Sequence, residues 1–249
     1  MPHDPVASRF QAARDDPALA VLEGLHPVKH AMRFGAELLA VVAVDPDEVD
    51  RLAARLAPDL REELANRVEV VSADTFAGLG PAPPATRVAG IARRPVHDVG
   101  ALLAAPGPGP VVLLDAPRHL GNVGAAIRVA AAAGAEAVVV TGEADPWHPA
   151  AIRGAAGLQF ALPVGRVDSA RAAARRQVVA LDPDGDPLRP GLVPQGAVLA
   201  FGSERQGLSP EVAALASARV ALPMRPGVSS LNLATAVAAT LYGLRLAAS

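Results

Sequence analysis

Short apolar runs alternate with amphipathic or alanine-rich segments along most of the chain. An apolar run bounded by turn-forming residues is typical of a buried strand, whereas apolar residues at every third or fourth position predict a helix. Strands that alternate with helices predict a parallel sheet covered on both faces, because helices are the usual connections between parallel strands. We therefore predict an α/β fold. The predicted strands are 38–44, 68–71, 87–92, 111–115, 137–140, 177–181, 197–201 and 219–222.

A proline- and glycine-rich stretch at 104–110 divides this pattern into two predicted domains. Residues 1–105 are predicted to form a small α/β domain, followed by a linker that extends to about residue 110. Residues 106–249 are predicted to form a larger domain that contains the parallel sheet. In the small domain, the first 25 or so residues are predicted to be an arm that leads into a helix at about 28–34.

Composition and charge restrict the classes of protein that remain. With 249 residues, 51% of them hydrophobic, the chain has ample material for a core. Its formal net charge is −2, which argues against a generally basic coat for nucleic acid but allows a local basic surface. The first 105 residues carry 11 basic and 15 acidic residues, and the remainder carries 12 and 10. Almost all basic residues are arginine, whose guanidinium group suits phosphate recognition.

Some kinds of site are excluded by residues that the sequence lacks. The absence of cysteine excludes disulfides, thiolate catalysis and zinc held by cysteine, and the six histidines lack the spacing of metal ligands. No apolar run approaches the roughly 20 residues that span a bilayer, and the N-terminal segment is polar with mixed charge. We therefore expect a soluble, cytoplasmic protein with no catalytic metal and no membrane partner.

Three polar segments interrupt the apolar sequence of the larger domain, at 120–128, 201–208 and 222–232. Each follows the end of a predicted strand. Ligands of parallel sheets bind outside the carboxyl ends of the strands, where the loops meet. The three segments are therefore predicted to form one composite active site.

The first segment opens an alanine-rich helix that is predicted to run to about Ala133 and to stop at Gly134. Asn122 is either the N-cap of this helix or a site residue. Arg128 is the only charged residue in a helix that is otherwise apolar and is expected to be buried. A buried cation needs an anionic partner or ligand, so Arg128 is predicted to be functional, with a structural ion pair as the alternative.

The second and third segments each precede a helix. Gly202 permits a ligand to approach the backbone closely, and Glu204 is either an ordinary loop carboxylate or the partner of Arg128. In the third segment, Ser230 and Asn232 lie at the mouth of a long apolar helix, and a serine is predicted to be its cap. The amide groups and dipole of this helix favour an electron-rich group nearby.

The order of these residues resembles motifs one, two and three of the SpoU (TrmH) family of RNA ribose methyltransferases, in the SPOUT superfamily. The resemblance covers residues from about 111 to 246. The N-terminal part, with Glu23-Gly-Leu-His-Pro-Val-Lys29, is similar to the small ribosomal-protein-like substrate-binding domain of many members. The matching residues are Asn122 and Arg128, then Gly202-Ser203-Glu204 with Gly207-Leu208, then Leu222-Pro223-Met224 with Ser230-Leu231-Asn232.

The resemblance implies a parallel-sheet domain with a deep trefoil knot, S-adenosyl-L-methionine as cofactor and a homodimeric assembly. It also implies an RNA substrate, with ribosomal RNA preferred over transfer RNA. By position, the adenosine pocket would be formed by Leu181, Gly202, Leu222, Met224 and Leu231. The catalytic group would consist of Asn122, Arg128, Glu204, Ser230 and Asn232.

Transfer of a methyl group to a ribose 2′-hydroxyl requires alignment of the oxygen and stabilisation of its developing charge. We expect Arg128, in its own or the partner's site, to hold the target phosphate and stabilise the alkoxide, because free guanidinium is essentially always protonated and is a poor general base. Glu204 would orient Arg128, and the two asparagines would orient groups in the site. Ser230 would cap the third helix and line the site.

Two features depart from the family pattern. Arg205 stands where motif two commonly has glycine, and it either crowds the cofactor or adds a phosphate contact. The N-terminal domain is acidic, so RNA binding there would depend on a few arginines. Those candidates are Arg33, Arg87, Arg93 and Arg94.

Two other functions remain open. A knotted RNA-binding protein without catalysis fits Arg205 and the acidic N-terminal part. An ordinary doubly wound nucleotide-binding enzyme is disfavoured, because 120–124 lacks a Gly-rich phosphate-loop pattern.

Overall fold

The computed structural model describes residues 4–105, 107–189 and 191–247. Two compact units are distinguished by their internal contacts, and the first contains residues 4–96 together with 147–161. The second contains residues 97–146 and 162–247. The segment 147–161 follows the first strands of the larger predicted domain but packs with the N-terminal residues. The division into a substrate-binding and a methyltransferase domain at residue 105 stays a prediction.

Helices and strands alternate along both units. The strands are β1 Leu19–Glu23, β2 Leu38–Ala43, β3 Val68–Val70, β4 Val88–Arg93, β5 Val111–Leu114, β6 Ala137–Val140, β7 Val164–Arg166, β8 Val178–Pro187, β9 Val198–Phe201 and β10 Ala216–Ala221. The α-helices are α1 Pro5–Asp15, α2 Leu25–Arg33, α3 Pro46–Leu56, α4 Arg61–Arg67, α5 Ala73–Ala77, α6 Val99–Ala104, α7 Leu120–Ala133, α8 Pro149–Ala155, α9 Pro210–Leu215 and α10 Leu233–Ala247. Short 3-10 helices lie at Pro58–Leu60, Leu158–Ala161 and Ala170–Arg175.

The first unit contains a four-stranded mixed sheet with the order β1-β4-β2-β3. Strand β4 is antiparallel to both β1 and β2, while β3 is parallel to β2. Its predicted strands at 38–44, 68–71 and 87–92 are confirmed. Strand β1 was not predicted.

The predicted N-terminal arm is wrong, because residues 5–23 form α1 and β1. Asp4 caps α1 by accepting from the backbone N–H groups of Val6 at 2.9 Å and Ala7 at 3.2 Å. The side chains of Phe10 and Ala13, three residues apart, are buried with core residues that include Val21. Burial of this apolar stripe stabilises the segment as part of the core rather than as a free arm.

The second unit contains a six-stranded sheet with the order β10-β8-β9-β5-β6-β7, and every neighbouring pair is parallel. All residues of β5, β6 and β9 are buried, as the continuous apolar runs predict. The pairing of β5 with β9 places Leu114 beside Phe201, so Asp115 and Gly202 emerge side by side at the carboxyl edge. The predicted α/β fold with a parallel sheet is confirmed.

Two helices of the second unit pack against each other, α7 and α10. Helix α7 ends at Ala133, and Gly134 follows in the left-handed region with φ of 78°. Glycine adopts this conformation without the steric cost of a Cβ atom, so the predicted stop is confirmed. Within the described ranges, none of the helices has both the length and the apolar character needed to span a membrane.

Candidate active site

A cleft of about 590 Å³ lies in the second unit, at the carboxyl edge of its sheet. Its walls come mainly from β8, from β10 and the segment that follows it, from the loop after β9, and from the start of α10. The volume falls in the range typical of small-molecule sites, so the cleft has room for a nucleoside-sized ligand. All five predicted cofactor residues line it: Leu181, Gly202, Leu222, Met224 and Leu231. Glu204 and Ser230 also line it, together with the unpredicted Asp182 and Arg219.

The loop after β9 folds back on itself. Ser203 N donates to Gly207 O at 2.9 Å, and Gly207 N donates to Ser203 O at 3.1 Å. A Cβ atom at Gly202 would lie 2.2 Å from Gly207 C and 2.4 Å from Leu208 N. We expected Gly202 to admit a ligand, but the group that approaches it most closely is the backbone of its own loop. The glycine is therefore required for the shape of this cleft wall.

Three predicted site residues form one hydrogen-bonded chain, which we call the polar network: Asn232, Asn122 and Glu204. Asn232 Nδ2 donates to Asn122 Oδ1 at 3.0 Å, and Asn122 Nδ2 donates to Glu204 Oε1 at 2.7 Å. The other carboxylate oxygen, Glu204 Oε2, accepts from Arg118 N at 3.2 Å. The network therefore joins the first, second and third polar segments through their side chains.

The amide group of Asn232 has two functions in the structure. Its Oδ1 accepts from the backbone N–H groups of Ala234 at 3.0 Å and Thr235 at 3.3 Å, at the start of α10. Asn232 is therefore the cap of this helix, and the prediction of a serine cap is wrong. Asparagine caps the helix through Oδ1 and at the same time donates through Nδ2. Ser230 is exposed and lines the cleft.

Asn122 does not cap α7, so that alternative is wrong. The helix begins at Leu120, and its N-cap is His119, which makes no side-chain cap hydrogen bond. Asn122 lies within the first turn, where its backbone N–H donates to His119 O at 2.9 Å. Its side chain is therefore available for the polar network.

The polar network keeps Glu204 ionised. Partial burial raises the pKa of Glu204, but the Asn122 hydrogen bond, two backbone N–H groups and the charge of His119 outweigh it. The net result is a pKa below the ordinary value for a glutamic acid. At neutral pH Glu204 is therefore a carboxylate that accepts hydrogen bonds and orients Asn122.

Arg128 lies outside the polar network. Its side chain is exposed and makes no hydrogen bond or ion pair with any part of the chain that the structure describes. Helix α7 buries one face, which includes Val123, Ile127 and Ala130, and Arg128 lies on the other. The expectations that the helix is buried all round and that Glu204 orients Arg128 are both wrong.

Asp115 is a buried polar residue that lies behind the cleft, at the end of β5, and that was not predicted from the sequence. Its side chain is 3% exposed, and its carboxylate accepts from Thr141 Oγ1 at 2.8 Å and from Ser209 N at 2.6 Å. The sequence signal for this residue is an acidic side chain directly after a fully apolar strand. A carboxylate at that position is buried at the edge of the sheet and therefore needs hydrogen-bond partners.

The arginines proposed for RNA binding in the first unit mostly have partners. Arg33 contacts Asp59 and Arg93 contacts Glu37, with shortest distances of 2.6 Å and 2.8 Å. Arg94 donates to Leu19 O. Arg87 is exposed, with a left-handed φ of 46°. Their part in RNA binding stays a prediction.

Comparison with known proteins places these features in a family. A model of the SpoU rRNA Methylase family matches residues 109–242. A 23S rRNA (uridine(2479)-2′-O)-methyltransferase of Streptomyces viridochromogenes is 31% identical over 249 residues, covering 88% of this chain and 79% of the relative. A 23S rRNA (adenosine(1067)-2′-O)-methyltransferase of Streptomyces laurentii is 30% identical over 246 residues, covering 89% and 84%.

A solved structure has the same fold over almost the whole chain. It is an AdoMet-bound rRNA methyltransferase from Sinorhizobium meliloti, with 28% identity and a TM-score of 0.77. The match covers 99% of this chain and 96% of that one. The family model includes all three polar segments and more than half of the residues. The chain therefore belongs to the SpoU rRNA Methylase family.

Proposed function

We propose that this protein is an S-adenosylmethionine-dependent RNA 2′-O-methyltransferase that acts on ribosomal RNA. The observation that carries the proposal is the polar network, which is built from the three segments of the family pattern and reaches the wall of a nucleoside-sized cleft through Glu204. The two named relatives are 23S rRNA 2′-O-methyltransferases, which supports ribosomal over transfer RNA.

The cleft fits the cofactor by size and by lining. Leu181, Leu222, Met224 and Leu231 supply apolar surface, and Gly202 keeps the loop wall compact. These residues would hold the adenosine part of S-adenosylmethionine, whose sulfonium supplies an activated methyl group. The similar rRNA methyltransferase structure from Sinorhizobium meliloti is AdoMet-bound, which supports this assignment.

The polar network positions the reacting groups. Glu204 accepts from Asn122, and Asn122 accepts from Asn232, so both side-chain amides have a fixed orientation behind Glu204, which lines the cleft. We assign them the task of orienting the ribose whose 2′-hydroxyl accepts the methyl group. Ser230 would line the same space.

Arg128 would supply positive charge for the target phosphate and for the alkoxide that develops at the 2′-oxygen. It is exposed and unpaired within the described residues, so its anionic partner would come from the substrate. In a homodimer it would act in the partner's site.

A homodimer would cover the exposed faces of α7 and α10. Tyr242 and Leu246 on α10 are 41% and 74% exposed, although the helix is largely apolar. A second copy of the chain is the occupant that the family resemblance implies. Light scattering of the purified protein tests this, and a monomeric mass at micromolar concentration would contradict it.

Further expectations follow from the resemblance. The chain is expected to form a deep trefoil knot in the second unit, an exception to the rule against threaded loops. The N-terminal residues are expected to bind the RNA substrate, and the protein is expected to work in the cytoplasm.

The direct test is methyl transfer. Wild-type protein incubated with labelled S-adenosylmethionine and 23S rRNA transcribed in vitro should deposit label on ribose 2′-oxygens, and alkaline hydrolysis should then map the protected position. Total transfer RNA is the comparison substrate. Cofactor binding without transfer to any of these RNAs would contradict the proposal.

A second candidate is an RNA-binding protein of the same fold without catalysis. Arg205, which lines the cleft in place of the family's usual glycine, is the observation that favours it. Calorimetric titration with S-adenosylmethionine separates the two, because only the methyltransferase requires a functional cofactor site.

A further inference from the structure

We propose that Asp115 is a positioning residue that holds the loop after β9, here residues 202–209, in the shape required by the cofactor cleft and by Glu204. The inference rests on the proposed function, because it assigns to a buried carboxylate the task of preparing that site. Asp115 itself lies at the end of β5 and is not among the residues that line the cleft.

Both oxygens of the Asp115 carboxylate have hydrogen-bond donors. Oδ1 accepts from Thr141 Oγ1 at 2.8 Å, and Oδ2 accepts from Ser209 N at 2.6 Å. Thr141 Oγ1 in turn accepts from Ala116 N at 3.0 Å. A carboxylate that is 3% exposed is costly to bury unless its oxygens are satisfied, so these donors hold it in one orientation.

The Ser209 contact fixes the far end of the loop. The near end is fixed at β9, where Asp115 N donates to Phe201 O at 2.8 Å. One residue therefore binds both ends of the 202–209 loop, through its backbone at Phe201 and its side chain at Ser209. Between these points the loop carries the Ser203–Gly207 pair and presents Glu204 to Asn122.

Loss of the anchor at Ser209 should have a specific effect on the 202–209 loop. If the Ser209 N–H to Asp115 bond is lost, the loop keeps its covalent ends but loses its second anchor. Gly207 and Leu208 line the cleft directly before Ser209, so the cleft wall would become more mobile. The free energy of cofactor binding should therefore change more than the free energy of unfolding does.

A matched pair of variants tests the anchor at Ser209. Ser209→Ala keeps the backbone N–H and removes only the hydroxyl that caps α9 by accepting from Val212 N at 3.3 Å. Ser209→Pro removes the hydroxyl and the N–H together. The backbone of Ser209 has a φ of −65°, which suits proline, but the ring carbon Cδ would stand where the N–H hydrogen points at Asp115 Oδ2. Ser209→Pro therefore breaks the hydrogen bond and also pushes the Asp115 carboxylate away from the loop, whereas Ser209→Ala leaves the contact in place.

We expect Ser209→Ala to lower the melting temperature slightly and to leave the Kd for S-adenosylmethionine near the wild-type value. Ser209→Pro should raise that Kd by at least about ten-fold, because loss of one hydrogen bond to a charged group already accounts for that much. Hydrogen exchange is the readout that does not depend on the cofactor. The amides of Ser203 and Gly207 should exchange faster in Ser209→Pro than in Ser209→Ala, while those of β5 should not.

Substitutions of the carboxylate give a second test. Asp115→Asn keeps an oxygen for Ser209 N and an amide donor for Thr141 Oγ1, whereas Asp115→Ala keeps neither. Asparagine should therefore restore most of the cofactor affinity that alanine loses. Equal Kd values and equal exchange rates for Ser209→Ala and Ser209→Pro would overturn the proposal, as would loss of the whole fold in both Ser209→Pro and Asp115→Ala.

Failure of the proposed function would give a different experimental result from failure of the role proposed for Asp115. If wild-type protein transfers no methyl group, the proposed activity is wrong, yet the exchange rates of Ser203 and Gly207 still report whether Asp115 positions the loop.

Discussion

Helix α7 carries both the polar network and Arg128, and the two regions differ in how their polar groups are satisfied. At the first turn, Asn122 bonds to Glu204 and Asn232, residues 82 and 110 positions away in the sequence. Less than two turns further on, Arg128 is exposed and without a partner in the described residues. The polar groups of the first region are satisfied within one chain, whereas the Arg128 side chain is free to meet an anion from outside it.

This difference assigns different tasks to the two regions. A network that is already hydrogen-bonded contributes preorganisation, because its side chains do not need to move when a ligand enters. An unpaired arginine contributes charge only when an anion arrives. Substitutions in the network should therefore affect cofactor affinity, stability and rate together, whereas substitutions of Arg128 should affect methyl transfer to RNA and leave cofactor affinity and stability unchanged.

The largest effect is expected for Arg128→Ala. Removal of the charge should lower the rate of methyl transfer by about 10²–10³-fold, as for loss of one transition-state donor. The melting temperature and the Kd for S-adenosylmethionine should stay near wild type, because the side chain has no internal partner. Exposed Arg175, in the 3-10 helix at Ala170–Arg175, provides the control Arg175→Ala. A variant of Arg128 that keeps wild-type activity would remove Arg128 from the mechanism.

Gly202→Ala should strongly weaken cofactor binding. The added Cβ would lie 2.2 Å from Gly207 C, so the loop that forms the cleft wall must shift. We expect the Kd for S-adenosylmethionine to rise by about 10²-fold or more, equivalent to at least about 2.7 kcal/mol. Gly121→Ala is the control, because a Cβ there meets no atom within 4 Å and alanine favours the helix. Isothermal calorimetry measures both, and equal affinities would mean that the loop tolerates the strain.

Glu204→Gln should lower the transfer rate by about ten-fold, because a neutral amide orients Asn122 less firmly than a carboxylate does. The pKa of Glu204 is lowered in the folded protein, so its hydrogen bonds stabilise the fold above the unfolded-state pKa of about 4.3. That stabilisation is lost as the pH falls through the folded pKa. The melting temperatures of wild type and Glu204→Gln should therefore differ at neutral pH and converge in acid. A difference that grows in acid would contradict the assignment.

Asn232→Ala should destabilise the protein by about 1 kcal/mol through loss of the α10 cap, and it should also lower activity by releasing Asn122. Ser230→Ala should leave the melting temperature unchanged, because Ser230 does not cap the helix. Urea denaturation of the two variants compares them directly. Greater destabilisation by Ser230→Ala would restore the serine as the cap.

The smallest effect is expected for Arg205→Ala. The side chain is exposed at the cleft. If it contacts an RNA phosphate, its removal should raise the KM for RNA by a few-fold and reduce the salt dependence of RNA binding. The Kd for S-adenosylmethionine should not change. Tighter cofactor binding in Arg205→Ala would instead indicate that the arginine crowds the cleft.

Several site features could be predicted because they depend on local sequence. Apolar runs place the strand ends, and a parallel sheet brings those ends to one edge, so Gly202, Glu204 and Ser230 were expected to share a site. The structure places all three at one cleft. The separation of Arg128 from Asn122 could also have been predicted, because residues six positions apart lie roughly 120° apart around a helix and do not share a face.

Other features depend on contacts that are remote in sequence. The partner of Glu204 could have been Arg128 or Asn122, because both are compatible with the order of the motifs. The choice between Asn232 and a serine as cap depends on which side chain lies beside the first amide groups of α10. The role proposed for Asp115 depends on the hydrogen bond that its carboxylate accepts from Ser209 N, 94 positions away in the sequence.

The sequence by itself determined the alternation of strands and helices, the parallel sheet and the three segments at its edge, because these follow from hydrophobic periodicity and chain direction. Only the tertiary structure decided the strand order, the inclusion of α1 and β1 in a core, and the partners of Asn122, Glu204 and Asp115. Hydrogen bonds are short and directional, so they depend on side-chain positions that no local pattern specifies. Arg128 has no such partner in the described chain, and its assignment therefore depends on the substrate.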